Sequence, residues 1–193
     1  MTMAAGTAQA GAMVNVLGGL NFQNDSIDPA QSGTTLSAQG GVSYGASVEF
    51  GMNPMLGLEL GVFSMAKKTK ATVAGAGEAT ATAHGIVFPV MVRFTALPVL
   101  DFGVGGYYAT LSDKFTVSGS TIAGYPDGDQ TSSTAEKSDY GLRAGVRAKL
   151  PVGPMLKVLV DASYNFGLKD TDNTSTTEKT RGYTLMAGVG IGF

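Results

Sequence analysis

The sequence predicts an all-β chain folded as an eight-stranded antiparallel up-and-down transmembrane β-barrel, and three observations carry that prediction. Apolar residues recur at every second position in eight separate segments. The connections between the segments alternate between tight and long, and no charge interrupts the apolar row through the centre of any segment. Period two is the repeat of a strand, whose side chains point alternately to opposite faces. An unbroken apolar row is what a lipid-facing surface needs, because a Lys or Arg at the bilayer midplane costs about 2–4 kcal/mol.

The first strand runs from Gly11 to Gln23 and sets Val14, Val16, Leu20 and Phe22 against Asn15, Gly19 and Asn21. The second, Gln39 to Gly51, sorts Val42, Tyr44, Ala46, Val48 and Phe50 from Ser43, Gly45, Ser47 and Glu49. In the third, Met55 to Met65, Leu56, Leu58, Leu60 and Val62 oppose Gly57, Glu59 and Gly61. The fourth, Gly85 to Thr95, opposes Ile86, Phe88, Val90, Val92 and Phe94 to Pro89, Met91 and Arg93. The fifth, Val99 to Leu111, divides Leu100, Phe102, Val104 and Tyr108 from Asp101, Gly103, Gly105 and Tyr107. The sixth, Ser138 to Leu150, separates Tyr140, Leu142, Ala144, Val146 and Leu150 from Gly141, Arg143, Gly145, Arg147 and Lys149. The seventh, Met155 to Leu168, has Leu156, Val158, Val160, Ala162, Tyr164 and Phe166 opposite Lys157, Asp161, Ser163, Asn165 and Gly167. The last counts back from Phe193 through Ile191, Val189, Ala187, Leu185 and Tyr183, against Gly192, Gly190, Gly188, Met186, Thr184 and Gly182.

Tight links follow the second, fourth and sixth strands, at Asn53-Pro54, Ala96-Leu97-Pro98 and Pro151-Val152-Gly153-Pro154, all with turn chemistry. Loops rich in Ser, Thr, Gly, Asp and Lys follow the others, at about 24 to 38, 66 to 84, 112 to 137 and 169 to 180. Long structureless loops are uncommon in compact soluble domains, and here all fall at one end of the sheet. Pro89 removes a ladder donor in a barrel that has no edge. The face parity continues unbroken across it, so the expectation is one lost hydrogen bond and no bulge.

Composition narrows the function classes. A chain of 193 residues fits one domain. Residues 1–10 read as a leader remnant, since Ala8-Gln9-Ala10 has the small-x-small form of a cleavage site, and 11–193 as the barrel. A net charge of −2 gives no basic groove for nucleic acid. Without cysteine there is no disulfide or thiolate metal site, and with one histidine a His-based zinc site is not expected. Neither a cofactor nor a metal is implied. No apolar run reaches 18 residues, so any membrane crossing uses strands.

A soluble ligand-binding barrel also alternates, so the polar row decides between the two. It is mostly Gly, Ser and Asn with isolated charges, which suits a crowded narrow lumen better than a wetted surface. Phe22, Tyr44, Phe50, Phe94, Tyr108, Tyr140, Tyr164, Tyr183 and Phe193 fall near strand ends, where aromatic girdles form.

With these residues in place the chain resembles the small eight-stranded outer-membrane barrels, of the OmpX and OmpA transmembrane-domain type, from Gly11 to Phe193. The terminal Tyr183-x-Leu185-x-Ala187-x-Val189-x-Ile191-x-Phe193 is similar to the signal read by the bacterial outer-membrane assembly machinery. The resemblance implies a bacterial outer-membrane location with both termini periplasmic. It also implies lipopolysaccharide and the assembly machinery as partners, and extracellular loops that meet a further partner.

The candidate site is the lumen. Glu49, Glu59, Arg93, Asp101, Arg143, Arg147, Lys149, Lys157 and Asp161 fall on the polar row, and Glu49, Glu59, Arg143, Arg147 and Asp161 are expected to form a salt-bridge network filling an eight-stranded interior. The expected role is structural or cell-surface interaction, without enzymatic activity. The alternatives are a narrow ion path gated by exchange among these charges, a lipid A-modifying enzyme using His84 as general base, and a soluble carrier. Lys67, Lys68 and Lys70 form a basic cluster at the outer end of the third strand, suited to lipopolysaccharide phosphates or plain interface anchoring.

Overall fold

The computed structural model describes residues 11–28, 34–122, 126–131, 137–169 and 177–193. Residues 1–10, read above as a leader remnant, lie outside them. The strands are β1 (Ala12–Asp28), β2 (Thr34–Gln39), β3 (Gly41–Gly51), β4 (Leu56–Val73), β5 (Gly77–Leu97), β6 (Leu100–Ser118), β7 (Gly128–Thr131), β8 (Ser138–Pro151), β9 (Leu156–Gly167) and β10 (Thr177–Gly192). Eight of them close a ring in the order β1-β3-β4-β5-β6-β8-β9-β10, every pairing antiparallel. Closure of β10 on β1 is the longest uninterrupted register, from Met13↔Gly192 to Asp28↔Thr177.

The stagger of the ring follows from the pairings. From Met13 the path of paired residues runs Glu49, Glu59, Met91, Gly105, Arg143, Asn165, Gly182 and back to β1 at Gln23. The circuit returns ten residues further along β1. Eight strands with that stagger tilt by about 40° and enclose a backbone cylinder of about 8 Å radius. On β8 the outward row from Tyr140 to Leu150 then rises about 26 Å along the barrel axis, the height of the apolar band of an outer-membrane barrel.

The outward row is largely exposed, with Val90, Val104, Leu142 and Leu185 each at least half accessible, while Val48, Leu58 and Val158 are half-buried. Inward-facing glycines let the wall coil tightly: a Cβ on Gly188 would lie 1.9 Å from the Val16 carbonyl oxygen. Large inward side chains fill the space such glycines open, so that Phe63 lies over Gly45 and Gly61, and Tyr107 over Gly141.

At Pro89 the ladder to β4 lapses between Leu60↔Val90 and Phe63↔Val87, yet the register is the same on both sides. The irregularities lie elsewhere. One extra residue in the β2–β3 edge, around Gly40, shifts the register against β4 from Gln39↔Lys68 to Ser43↔Met65. Two extra residues in β6 lie between Leu111 and Phe115, opposite Ala83 to Gly85.

Among the described residues, strand takes up most of the predicted loops at 24 to 38 and 66 to 84 and part of those at 112 to 137 and 169 to 180. β4 and β5 pair to the tip of their hairpin, where Ala76 N–H donates to the Val73 carbonyl at 3.1 Å and Gly75, at φ 77°, takes the turn position that favours glycine. Together β2, the ends of β4, β5 and β6 nearest the long connections, and β7 stand above the ring as a five-stranded sheet. Its physical basis is the alternation of Thr80 and Thr82 with Ala79, Ala81 and Ala83, a strand pattern in small residues. Face polarity inverts there: Ala79, Ala81, Ala83, Phe115 and Val117 continue the inward row, while Glu78, Thr80, Thr82 and His84 continue the outward one.

Candidate functional site

Sequence order places acids beside bases across the lumen wall. Arg147 on β8 is paired in register with Asp101 on β6 and Asp161 on β9. Glu49 and Glu59 face each other directly on β3 and β4, an arrangement that is repulsive unless cations intervene. They do intervene. Arg147 reaches across the barrel to Glu59, Nη2 to Oε1 2.8 Å, while its Nε donates to Asp161 Oδ2 at 2.9 Å and its Nη1 lies 3.7 Å from Glu49. Arg93 approaches from β5, with Nε 2.6 Å from the other Glu59 oxygen and Nη2 3.0 Å from Asp161. Glu59 also accepts from Ser47 Oγ at 2.6 Å, and Ser47 accepts from Asn15 Nδ2.

Glycine makes room for this crossing. Gly57 and Gly103 flank Arg93 in register, and a Cβ on Gly103 would sit 2.9 Å from its Nη1. Towards the end carrying the tight turns, Lys149 bridges Glu49, at 2.5 Å, and Asp101. Arg143 stands apart from the carboxylates: Nη2 donates to Ser163 Oγ at 2.6 Å and the guanidinium lies 5.9 Å from the Phe63 ring centre. Around the crossing, Glu49, Glu59, Asp101 and Asp161 balance Arg93, Arg143, Arg147 and Lys149.

Space inside is scarce. Between Leu17, Phe63, Met91, Arg143 and Met186 the free volume is about 10 Å³, close to what one water needs. At the turn end a vestibule of about 460 Å³ opens between Met13, Glu49, Lys149, Lys157 and Phe193. Lys157 lines that mouth, half-buried, and is not among the ion pairs of the crossing. Towards the long-loop end, Tyr107 Oη donates to Asp139 Oδ2 at 2.8 Å, and Thr184, Asn21 and Gln23 form a hydrogen-bonded row. Sequence reading missed Asp139, which stands beside the first apolar residue of its strand on the inward parity of Gly141 and Arg143.

The other candidates are dispersed. His84 is exposed on the outward face opposite Ala66, and among the described residues no side chain is hydrogen-bonded to it. Lys67 takes the inward parity of β4 while Lys68 and Lys70 take the outward one, and Lys70 is bound to Glu78 at 2.6 Å. The three lysines therefore do not form one surface. Tyr183, Leu185, Val189, Ile191 and Phe193 share the exposed outward face of the closing strand. Phe22 stacks on Tyr183 with ring centres 5.0 Å apart.

A closed ring with an apolar outer band and an ion-paired interior defines a membrane-spanning β-barrel. Residues 7–173 match the family of outer membrane protein β-barrel domains, and the chain belongs to that family. It is therefore a protein of the bacterial outer membrane. Among curated proteins none matches the sequence. Three solved structures share the fold at low identity. The outer membrane protein OprG from Pseudomonas aeruginosa is 14% identical with a TM-score of 0.65, covering 95% of this chain and 96% of that one. The outer membrane protease OmpT from Escherichia coli is 12% identical with a TM-score of 0.57, over 100% and 99%. A major outer membrane protein from Thermus thermophilus is 16% identical with a TM-score of 0.55, over 94% and 99%.

Proposed function

We propose that this barrel is a closed, non-catalytic platform of the outer membrane, with its termini and tight turns towards the periplasm and its raised sheet at the cell surface for interaction. The observation that carries this reading is the lumen. Glu59 and Arg147, each 2% exposed, span the bore between β4 and β8, and Asp161 and Arg93 complete the crossing. Four strands are thereby tied through the axis, which supports a rigid scaffold more than a passage. The raised sheet, polar on its outward face, supplies a surface that is free of the lipid band. The exposed outward row of β10 suits recognition by the assembly machinery.

A narrow ion path is the second reading, favoured by Arg143, whose Nη1 is buried without a hydrogen-bond partner beside the small internal cavity. Planar-bilayer recordings separate the two. A platform leaves the bilayer silent for the wild-type protein. Discrete conductance steps that change on Glu59→Gln or Arg143→Ala would overturn the closed reading in favour of the path.

A further inference from the structure

The charge balance around the crossing is uneven along the barrel axis. Towards the tight turns Lys149 lies between two carboxylates, those of Glu49 and Asp101. Further from the turns, the small cavity of about 10 Å³ is lined by the guanidiniums of Arg93, Arg143 and Arg147 against the carboxylates of Glu59 and Asp161. One positive charge is in excess there. Arg143 carries it, since its Nη2 donates to the Ser163 hydroxyl and not to a carboxylate. A buried cation without a counter-ion is costly, and the rest of the lining, with Phe63, Met91 and Met186, offers no charge.

The unsatisfied atoms select the kind of ligand. Arg93 commits Nε to Glu59 and Nη2 to Asp161, and its Nη1 is buried without a hydrogen-bond partner. Arg143 Nη1 is in the same state, and the two side chains are only 2% and 4% exposed. Arg147 Nη1 is turned towards Glu49, 3.7 Å away. Among the residues lining the cavity, every buried side-chain nitrogen or oxygen left without a partner is therefore a donor. A water accepting from both arginines would bring two hydrogens of its own and meet no unpartnered acceptor in that lining. An anion needs donors alone. A free volume close to that of one water excludes phosphate, sulfate and carboxylates, while the flexible thioethers of Met91 and Met186 can give the few tenths of an ångström that a halide needs. We propose that the lumen holds one monatomic, monovalent anion, chloride in the cell, between Nη1 of Arg93 and Nη1 of Arg143.

Two measurements test the site. The first is crystallography of the wild-type barrel refolded with bromide as the sole halide, so that the ion need not enter through closed ends. An anomalous difference peak at hydrogen-bonding distance from both Nη1 atoms is expected. Its absence overturns the proposal, and together with silent bilayers it removes the anion while leaving the closed platform standing. The second is urea unfolding in lipid vesicles at constant ionic strength, with gluconate exchanged for chloride. Once chloride exceeds its dissociation constant, the apparent unfolding constant should fall about tenfold for each tenfold rise in chloride, because the ion binds the folded state alone. Arg143→Gln is expected to abolish this dependence, whereas Lys157→Gln at the vestibule keeps it. Equal stability in chloride and gluconate overturns the proposal, as does a full chloride response in Arg143→Gln. Heat-modifiable migration reports whether each variant is folded, and the bromide peak decides the matter if Arg143→Gln is not.

Discussion

Glu59→Gln isolates the charge of the lumen crossing at nearly constant volume. The native carboxylate accepts from Arg93 Nε at 2.6 Å, Arg147 Nη2 at 2.8 Å and Ser47 Oγ at 2.6 Å, and it is 2% exposed. With glutamine there, the two guanidiniums keep only Asp161 and, for Arg147, the more distant Glu49 at 3.7 Å, and the crossing gains a net positive charge with no solvent to screen it. Breaking a buried pair by removing one partner costs about 3–5 kcal/mol, and the amide oxygen recovers part of the hydrogen bonding, which places this change near the lower end. For a denaturant slope of about 2–3 kcal/mol per molar, the urea midpoint falls by about 1 M. The protein has no tryptophan, so equilibrium unfolding in lipid vesicles is followed by circular dichroism and heat-modifiable gel migration. Adding Arg93→Gln restores neutrality and should recover half or more of the lost midpoint. An unchanged midpoint for the single variant, or a double variant that loses as much again, refutes the view that charge balance holds the crossing together.

Two further outcomes follow from the wall. Val90→Arg places a charge midway along the outward row of β5, where the side chain is half accessible, and should cost about 2–4 kcal/mol in vesicle unfolding; a neutral or stabilising effect would mean that the row faces water. Gly188→Val sets a branched side chain where even a Cβ lies 1.9 Å from the Val16 carbonyl, so the β1–β10 seam must spread, and refolding yield should fall well below that of Ala187→Val on the outward face.

How far the fold could be read from the sequence differs from strand to strand. Face parity was legible wherever large apolar residues alternate with small ones, as at Leu56 to Val62 or Phe102 to Val104, because lipid on one side and a crowded bore on the other leave little choice of residue. It is faint in Ala79 to Ala83 and Lys67 to Val73, where the alternation is between alanine or lysine and threonine and carries little hydrophobic contrast, so paired strands there read as loop. The extra residue around Gly40 hid the start of the same sheet by breaking the parity. The sequence places Glu49, Glu59, Arg147 and Asp161 in one network, but that Arg93 joins it while Arg143 meets Ser163 and Lys157 stays at the mouth lies beyond its reach: cross-lumen partners depend on the ten-residue stagger, which is set jointly by all eight registers.

The inversion of face polarity along the strands fixes more than the raised sheet. On β5 the outward row passes from Ile86 to His84, and on β10 from Tyr183 to Arg181, so the boundary between oil-loving and water-loving surface is drawn within two residues on opposite sides of the cylinder. Such a line acts as a waterline on a hull. Shifting the barrel along the membrane normal by one pleat would drown Arg181 and His84 or strand Tyr183 and Ile86. Depth and lean in the bilayer are therefore written into the chain, and a membrane of different thickness has to adjust to the barrel before the barrel adjusts to it.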